Sequence, residues 1–80
     1  MGRRILITGG AGFVGSHLVD ALIDDGYPIT ILDDFSTGNL SNLEEARGRG
    51  DVHMVVGSIL DNAKVIEAME DCDIVYHLAV

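Results

Sequence analysis

Thr8-Gly9-Gly10-Ala11-Gly12-Phe13-Val14-Gly15-Ser16-His17 is the stretch on which the chain turns. The apolar run Ile5-Leu6-Ile7 leads into it, and an amphipathic run from Phe13 to Ile23 leads out. Strand, glycine turn and helix, in that order, form the context in which such spacing signals phosphate binding. Gly9, Gly12 and Gly15 read as GxxGxxG, while Gly10, Gly12 and Gly15 read as GxGxxG. Both open the same helix. Gly9 suits a sharp strand-to-helix turn where a Cβ would clash. Gly12 leaves room for a diphosphate beside the backbone, and Gly15 lets the first helical turn press against the strand. N–H groups at the helix start and the helix dipole favour the anion. The plainer reading of the same letters is a tight turn with no ligand.

Asp33 separates the two readings. It ends a second apolar run, Ile29-Thr30-Ile31-Leu32, and lies 18 residues past Gly15. A carboxylate at that point can accept hydrogen bonds from an adenosine ribose. It also repels a 2′-phosphate, and no arginine stands nearby in sequence to receive one. The expected cofactor is therefore NAD rather than NADP.

Eighty residues allow one small domain at most. The composition, 48% apolar, permits a packed core, which small size keeps marginal. The net charge of −8 argues against nucleic acid or an anionic membrane as partner. Cys72 is the only cysteine, so an internal disulfide is impossible, and the usage fits a reducing cytoplasm. Acids on both sides of Cys72 speak against a reactive thiol. Glycines interrupt the only stretch that mimics a signal peptide. Leu6 breaks the myristoylation pattern. No apolar run approaches transmembrane length. No residue set is assigned to a metal.

The rhythm of the chain is strand, helix, strand, helix. Strands are expected at Arg3 to Thr8, Ile29 to Asp33, Val52 to Val56 and Ile74 to Leu78. Helices are expected at Phe13 to Asp25, Asn39 to Arg49 and Asn62 to Glu70. Val14, Leu18, Ala21 and Leu22 should face the sheet from the first helix, and Leu40, Leu43 and Ala46 share one side of the second. Gly26 ends the first helix, with Pro28 soon after, while Gly48 and Gly50 close the second. Val65, Ala68 and Met69 fit the inner face of the third, which Asp61 caps. His17, His53 and His77 read as structural. Right-handed crossovers then predict a Rossmann-type, doubly wound parallel α/β sheet ordered 3-2-1-4, with the first two helices on one face and the third on the other. The ligand crevice falls at the carboxyl ends of strands one and four. A helix covers a band about 10 Å wide, and four strands span roughly 15–20 Å. Some apolar sheet should therefore stay exposed.

Thr8-Gly9-Gly10-Ala11-Gly12-Phe13-Val14-Gly15-Ser16, followed by Leu32-Asp33-Asp34-Phe35-Ser36-Thr37-Gly38, resembles the start of an extended short-chain dehydrogenase/reductase. More narrowly, it resembles the NAD-dependent sugar-nucleotide epimerase/dehydratase family, with UDP-glucose 4-epimerases foremost. The resemblance covers all 80 residues. It implies NAD contacts from Gly9, Gly12, Phe13, Val14, Gly15, Asp33, Asp34, Ser36, Thr37, Gly38, Ser58, Ile59, Leu78, Ala79 and Val80. The loop from Asp34 to Gly38 would meet the adenosine half. His77-Leu78-Ala79-Val80 resembles the family's strand end beside the nicotinamide ribose and diphosphate. Ser58 departs from the aspartate usual there, so one adenine contact becomes an uncharged hydroxyl.

The family's chemistry uses a Ser or Thr followed by Tyr-x-x-x-Lys, in which the tyrosine exchanges a proton with a sugar hydroxyl. Here Tyr27 is followed four later by Ile31 and Tyr76 by Val80, and Leu60 stands four before Lys64, the only lysine. No catalytic residue is assigned. Residues 1–80 are expected to be the amino-terminal part of an NAD-binding domain of a longer enzyme, whose remainder would bind the nucleotide sugar and form a homodimer. Epimerase, decarboxylase and dehydratase differ in residues beyond Val80. Two other readings stand beside this one. A dinucleotide-sensing module without catalysis suits the absent motif, and a related carbonyl reductase suits the fold. Tyr-x-x-x-Lys further along the gene would exclude the sensor. Many such reductases carry an arginine after strand two, which this chain lacks.

Overall fold

The computed structural model describes residues 3–10, 12–35 and 43–78. Its elements are β1 (Arg4–Thr8), α1 (Phe13–Asp24), β2 (Ile29–Asp33), α2 (Glu44–Arg49), β3 (Val52–Val56), α3 (Asn62–Met69) and β4 (Cys72–His77). The strands are rich in β-branched residues, which suit a pleated surface. They form one parallel sheet in the order β3-β2-β1-β4, as the alternation of strand and helix predicts. Ile7 lies opposite Ile31 on one side and Tyr76 on the other. Strand β1 is thus central, and among the described residues β4 pairs with β1 on one side.

Alternate residues of a strand point to opposite faces, and here each face has its own core. Ile5, Ile7, Ile29 and Ile31 pack with Val19 and Ile23 of α1 and with Leu43 and Ala46. Leu6, Leu32 and Val55 pack with Ala68 of α3 on the opposite face. Helices α1 and α2 therefore share one face and α3 holds the other. Strands β1 and β2 are covered on both faces, which explains why their sequences are apolar without alternation.

The buried stripe of α1 differs from the expected one. Gly15, Val19 and Ile23 are buried, with Leu18 and Leu22 beside them, while Val14 and Ala21 are exposed. Apolar residues occur on nearly all sides of this helix, so spacing alone does not fix its rotation. Met69 of α3 is also turned out, 50% exposed, leaving Ala68 and Val65 against the sheet. Asp61 caps α3 as expected, its Oδ1 accepting from the N–H groups of Ala63 and Lys64 at 3.1 and 3.4 Å. Gly26, at φ +88°, follows the end of α1.

The other boundaries move by a residue or two. β1 starts at Arg4, α1 ends at Asp24, and α3 ends at Met69. β4 runs from Cys72 to His77 because Arg4 already pairs with Cys72. Gly48 lies inside α2 rather than closing it. Leu43, in 3-10 geometry, directly precedes α2; residues 39–42 of the expected second helix lie outside the described residues. Helix α2 has glutamates in its first turn and arginines in its last, which complements the helix dipole. Arg49 also reaches α1, bonding Asp20 at 2.8 Å and Asp24.

The sheet is incompletely covered, as its width predicts. Val56 is 62% exposed, Val75 47% and Tyr76 41%. Among the described residues, no helix is long and apolar enough to cross a membrane.

Two outcomes follow from this packing. Val19→Ala should destabilise the fold by about 2 kcal/mol, since it empties a fully buried site. Val14→Ala, on the exposed side, should cost less than about 0.5 kcal/mol. Urea unfolding of the two variants of the full-length protein checks the helix rotation, and equal losses would contradict it. The 80 residues expressed alone should self-associate or unfold without cooperativity, because exposed apolar edges invite pairing. A monomer on sizing chromatography with a sharp urea transition would refute this.

Candidate functional site

Parallel strands bring their carboxyl ends to one edge of the sheet. Thr8 registers with Leu32 and with His77, and Asp33 registers with Val56. The glycine turn, the Asp33 loop, Ser58 and Leu78 consequently lie along one edge.

The turn after β1 is built by close backbone approach. Gly9 has φ +77°, the left-handed region that favours glycine. Its N–H bonds the carbonyl of Leu32 at 2.9 Å, which ties the turn to β2. A Cβ on Gly10 would come within 2.8 Å of Ile31 Cγ2. A Cβ on Gly15 would lie 2.3 Å from the Gly9 carbonyl oxygen and 2.8 Å from Gly10 Cα. Gly15 thus presses the helix against the glycine turn itself, rather than against the strand. Gly12 is different. Its backbone is extended, at φ −74° and ψ 174°, and a Cβ there would make only an ordinary 3.5 Å contact with Gly9 O. Packing within the described chain does not require glycine at position 12. Gly12 is also the N-cap of α1, where no side chain caps the helix and no acid stands in the first turn. This helix start is suited to an anion approaching the backbone.

Asp33 is buried, 9% exposed, at the end of β2. Its Oδ1 accepts from the Phe35 N–H at 2.7 Å, and Phe35 takes φ +61°. This local turn fixes the direction in which the carboxylate points. The backbone carbonyl of Asp33 accepts from Gly57 N–H at 3.0 Å, which joins β2 to the loop after β3. Ser58 Oγ accepts from Leu60 N–H at 3.0 Å. A hydroxyl oxygen has two acceptor positions, so this bond leaves capacity for another. Ile59 is half-buried and packs against the core beneath α3. Val14, 68% exposed, and Asp34 stand on the surface.

Of the expected contact residues, the structure brings Gly9, Gly12, Val14, Gly15, Asp33, Asp34, Ser58, Ile59 and Leu78 to this edge. Ser36, Thr37, Gly38, Ala79, Val80 and the side chain of Phe13 lie outside the described residues. One pair was not assigned from sequence. Thr8 Oγ1 and His77 Nδ1 share a 2.8 Å hydrogen bond, and Leu78 N–H reaches Thr8 Oγ1 at 3.1 Å. Only the strand register, Thr8 beside His77, brings these residues together.

The arginines lie elsewhere. Arg4 opens β1 and bonds Asp51 at 3.1 Å, just before β3. Arg47 and Arg49 occupy the last turn of α2, which leads into the start of β3. These belong to the amino edge of the sheet, opposite Asp33. Lys64, in the first turn of α3, pairs with Glu67 at 3.8 Å.

Known proteins share this arrangement. A UDP-N-acetyl-alpha-D-glucosaminuronate decarboxylase of Bacillus cytotoxicus is 44% identical over 79 residues, which is 99% of this chain and 24% of the relative. A UDP-glucose 4-epimerase from Brucella ovis, solved in complex with NAD, superposes with a TM-score of 0.82 at 39% identity, covering 98% of this chain and 23% of that one. A dTDP-glucose 4,6-dehydratase from Bacillus anthracis, also in complex with NAD, gives a TM-score of 0.89 at 28% identity, covering 98% and 27%. The chain spans about a quarter of the length of these relatives. The model of the NAD dependent epimerase/dehydratase family matches residues 5–80, and this chain belongs to that family.

Proposed function

We propose that these residues form the NAD-binding part of a nucleotide-sugar-modifying enzyme. The observation that carries the reading is the space at Gly12, which no packing within the described chain explains, at an uncapped helix start. The fit is one of shape and donors: a diphosphate would meet backbone N–H groups there, and Asp33 would accept from the adenosine ribose. Ser58 would accept from the adenine amine. Phe13, Val14, Ile59 and the loop from Asp34 to Gly38 would complete the adenosine side, with Leu78, Ala79 and Val80 toward the nicotinamide. NAD, when bound, accepts and returns a hydride at a sugar carbon. The residues of this chain bind and orient, and we assign the proton-transferring groups to the rest of the enzyme.

Among activities of the family we favour 4-epimerisation of a UDP-sugar, supported by the epimerase among the solved relatives. Decarboxylation of a UDP-uronate is the second reading, favoured by a 45% identical UDP-glucuronic acid decarboxylase of Danio rerio. The full-length protein, incubated with NAD and separately with UDP-glucose, UDP-glucuronate and dTDP-glucose, decides by product. A 4-epimer supports the proposal, and carbon dioxide with a UDP-pentose replaces it by the second reading. Turnover of none of the three sinks both. A homodimer in the cytoplasm goes with the proposal, and light scattering on the full-length protein tests the dimer.

Two variants test the cofactor. Gly12→Ala should change stability by less than about 1 kcal/mol, because its contact and backbone are ordinary. It should weaken NAD by about 1–3 kcal/mol through crowding of the diphosphate. Undiminished binding would make the turn only a turn. Asp33→Ala should weaken NAD by about 1.5–3 kcal/mol, the value of charge-assisted hydrogen bonds. Asp33→Asn keeps an oxygen for Phe35 N–H but removes the charge, and should narrow the preference for NAD over NADP. Calorimetric titration of both dinucleotides checks this, and equal wild-type affinities would refute the assigned preference.

A further inference from the structure

Phe35 holds a backbone conformation that its residue type resists. Its φ is +61°, in the left-handed region, where a bulky aromatic residue is an outlier. Among the described residues, the other non-glycine in that region is Asp71, at φ +63°. Aspartate tolerates the conformation through its short polar side chain. Phenylalanine has no such means, so its conformation needs support from the surroundings. Two supports are visible. The Phe35 side chain packs against the core that holds Val19, Ile31 and Leu43. Its backbone N–H donates to Asp33 Oδ1 at 2.7 Å.

These supports tie Asp33 to the core. Ile29, Ile31 and Asp33 alternate onto one face of β2, and both isoleucines belong to that same core. A Cβ on Gly10 would touch Ile31, so the glycine turn lies over this face as well. Asp33 thus continues the line of the core toward the edge of the sheet, and Phe35 returns to that core two residues later. A carboxylate at a strand end can rotate. An N–H held against Oδ1 limits that rotation, and a carboxylate has about four acceptor positions, so one bond orients it without filling it. We infer that Phe35 is a positioning residue: its side chain, seated in the core, holds the left-handed backbone that aims an N–H at Asp33, and so sets how well Asp33 receives an adenosine ribose. The inference rests on the proposed NAD site and adds to it a residue that works through its backbone. The Phe35 ring need not touch the ligand.

Side-chain size and backbone preference can be separated at this position. Glycine is smaller than alanine and enters the left-handed region freely. Leucine and isoleucine have equal volume, but the β-branched isoleucine is the worse fit to a positive φ. A role confined to packing ranks alanine level with or above glycine, and leucine level with isoleucine. A role through the backbone ranks glycine above alanine and leucine above isoleucine.

Calorimetric titration of NAD into the full-length protein reads the ranking. Phe35→Ala should weaken NAD about fivefold to twentyfold. Phe35→Gly should bind it about threefold more tightly than Phe35→Ala. Phe35→Leu should recover most of the loss, and Phe35→Ile should bind about threefold more weakly than Phe35→Leu. The leucine and isoleucine pair carries the test alone if the smaller variants fail to fold. In an Asp33→Ala background both differences should vanish, since Phe35 acts through Asp33. Wild-type affinity in Phe35→Ala overturns the inference and leaves the cofactor site standing. So does equal affinity within either folded pair, or a difference that persists without Asp33. Absence of NAD binding by the wild-type protein overturns the site itself, and this inference with it.

Discussion

Residue 15 can lie where it does only without a side chain, because a Cβ would meet the Gly9 carbonyl at 2.3 Å. That contact sets the distance between helix α1 and the central strand. It brings Val19 and Ile23, one and two turns on, down onto Ile5, Ile7, Ile29 and Ile31. The same approach starts the first turn of α1 directly beside the glycine turn, where Gly12 N–H bonds the Gly9 carbonyl at 3.2 Å. The larger core and the placement of the helix start thus share one steric cause. Glycines with similar spacing have different duties: Gly10 and Gly15 serve packing, Gly9 serves backbone conformation, and Gly12 serves neither.

The strand-turn-helix order and the apolar runs made the sheet legible. Four strands, their parallel direction and their order follow from alternation plus crossover handedness, and the observed sheet agrees. The rotation of α1 was not legible. Val14, Leu18, Val19, Ala21, Leu22 and Ile23 are all apolar, so the pattern allows more than one inward face. Contact with the sheet selected Val19 over Val14. The third helix shows the same limit at Met69, a flexible side chain that fits the stripe by spacing and is exposed in the fold.

The site was legible where it depends on backbone and less so where it depends on neighbours. Gly9, Gly12, Gly15 and Asp33 stand out by spacing, and the fold gathers them at one edge. The engagement of Asp33 Oδ1 with Phe35 N–H is too local to show in a motif. The distribution of cations is also a product of topology. Arg47 and Arg49 follow β2 in sequence, yet the path through α2 carries them to the opposite edge. Asp33, at the carboxyl end of β2, therefore stands across the sheet from these arginines.

The pairing of β1 with both β2 and β4 has a consequence for synthesis. Ile5 meets Ile29 early, across one short helix, but Thr8 and His77 are 69 positions apart. Joining them closes a long loop, and such contacts form late. At ribosomal speeds of about 5–20 residues per second, β4 leaves the ribosome roughly 2–9 s after β2. For that interval one side of the central strand, Arg4 to Thr8, has backbone N–H and carbonyl groups with no β4 to receive them. The nascent chain is then an open template for foreign strands. Its acidic balance, which grows during that time from four carboxylates against two cations at Asp33 to twelve against five at Asp71, provides repulsion between copies.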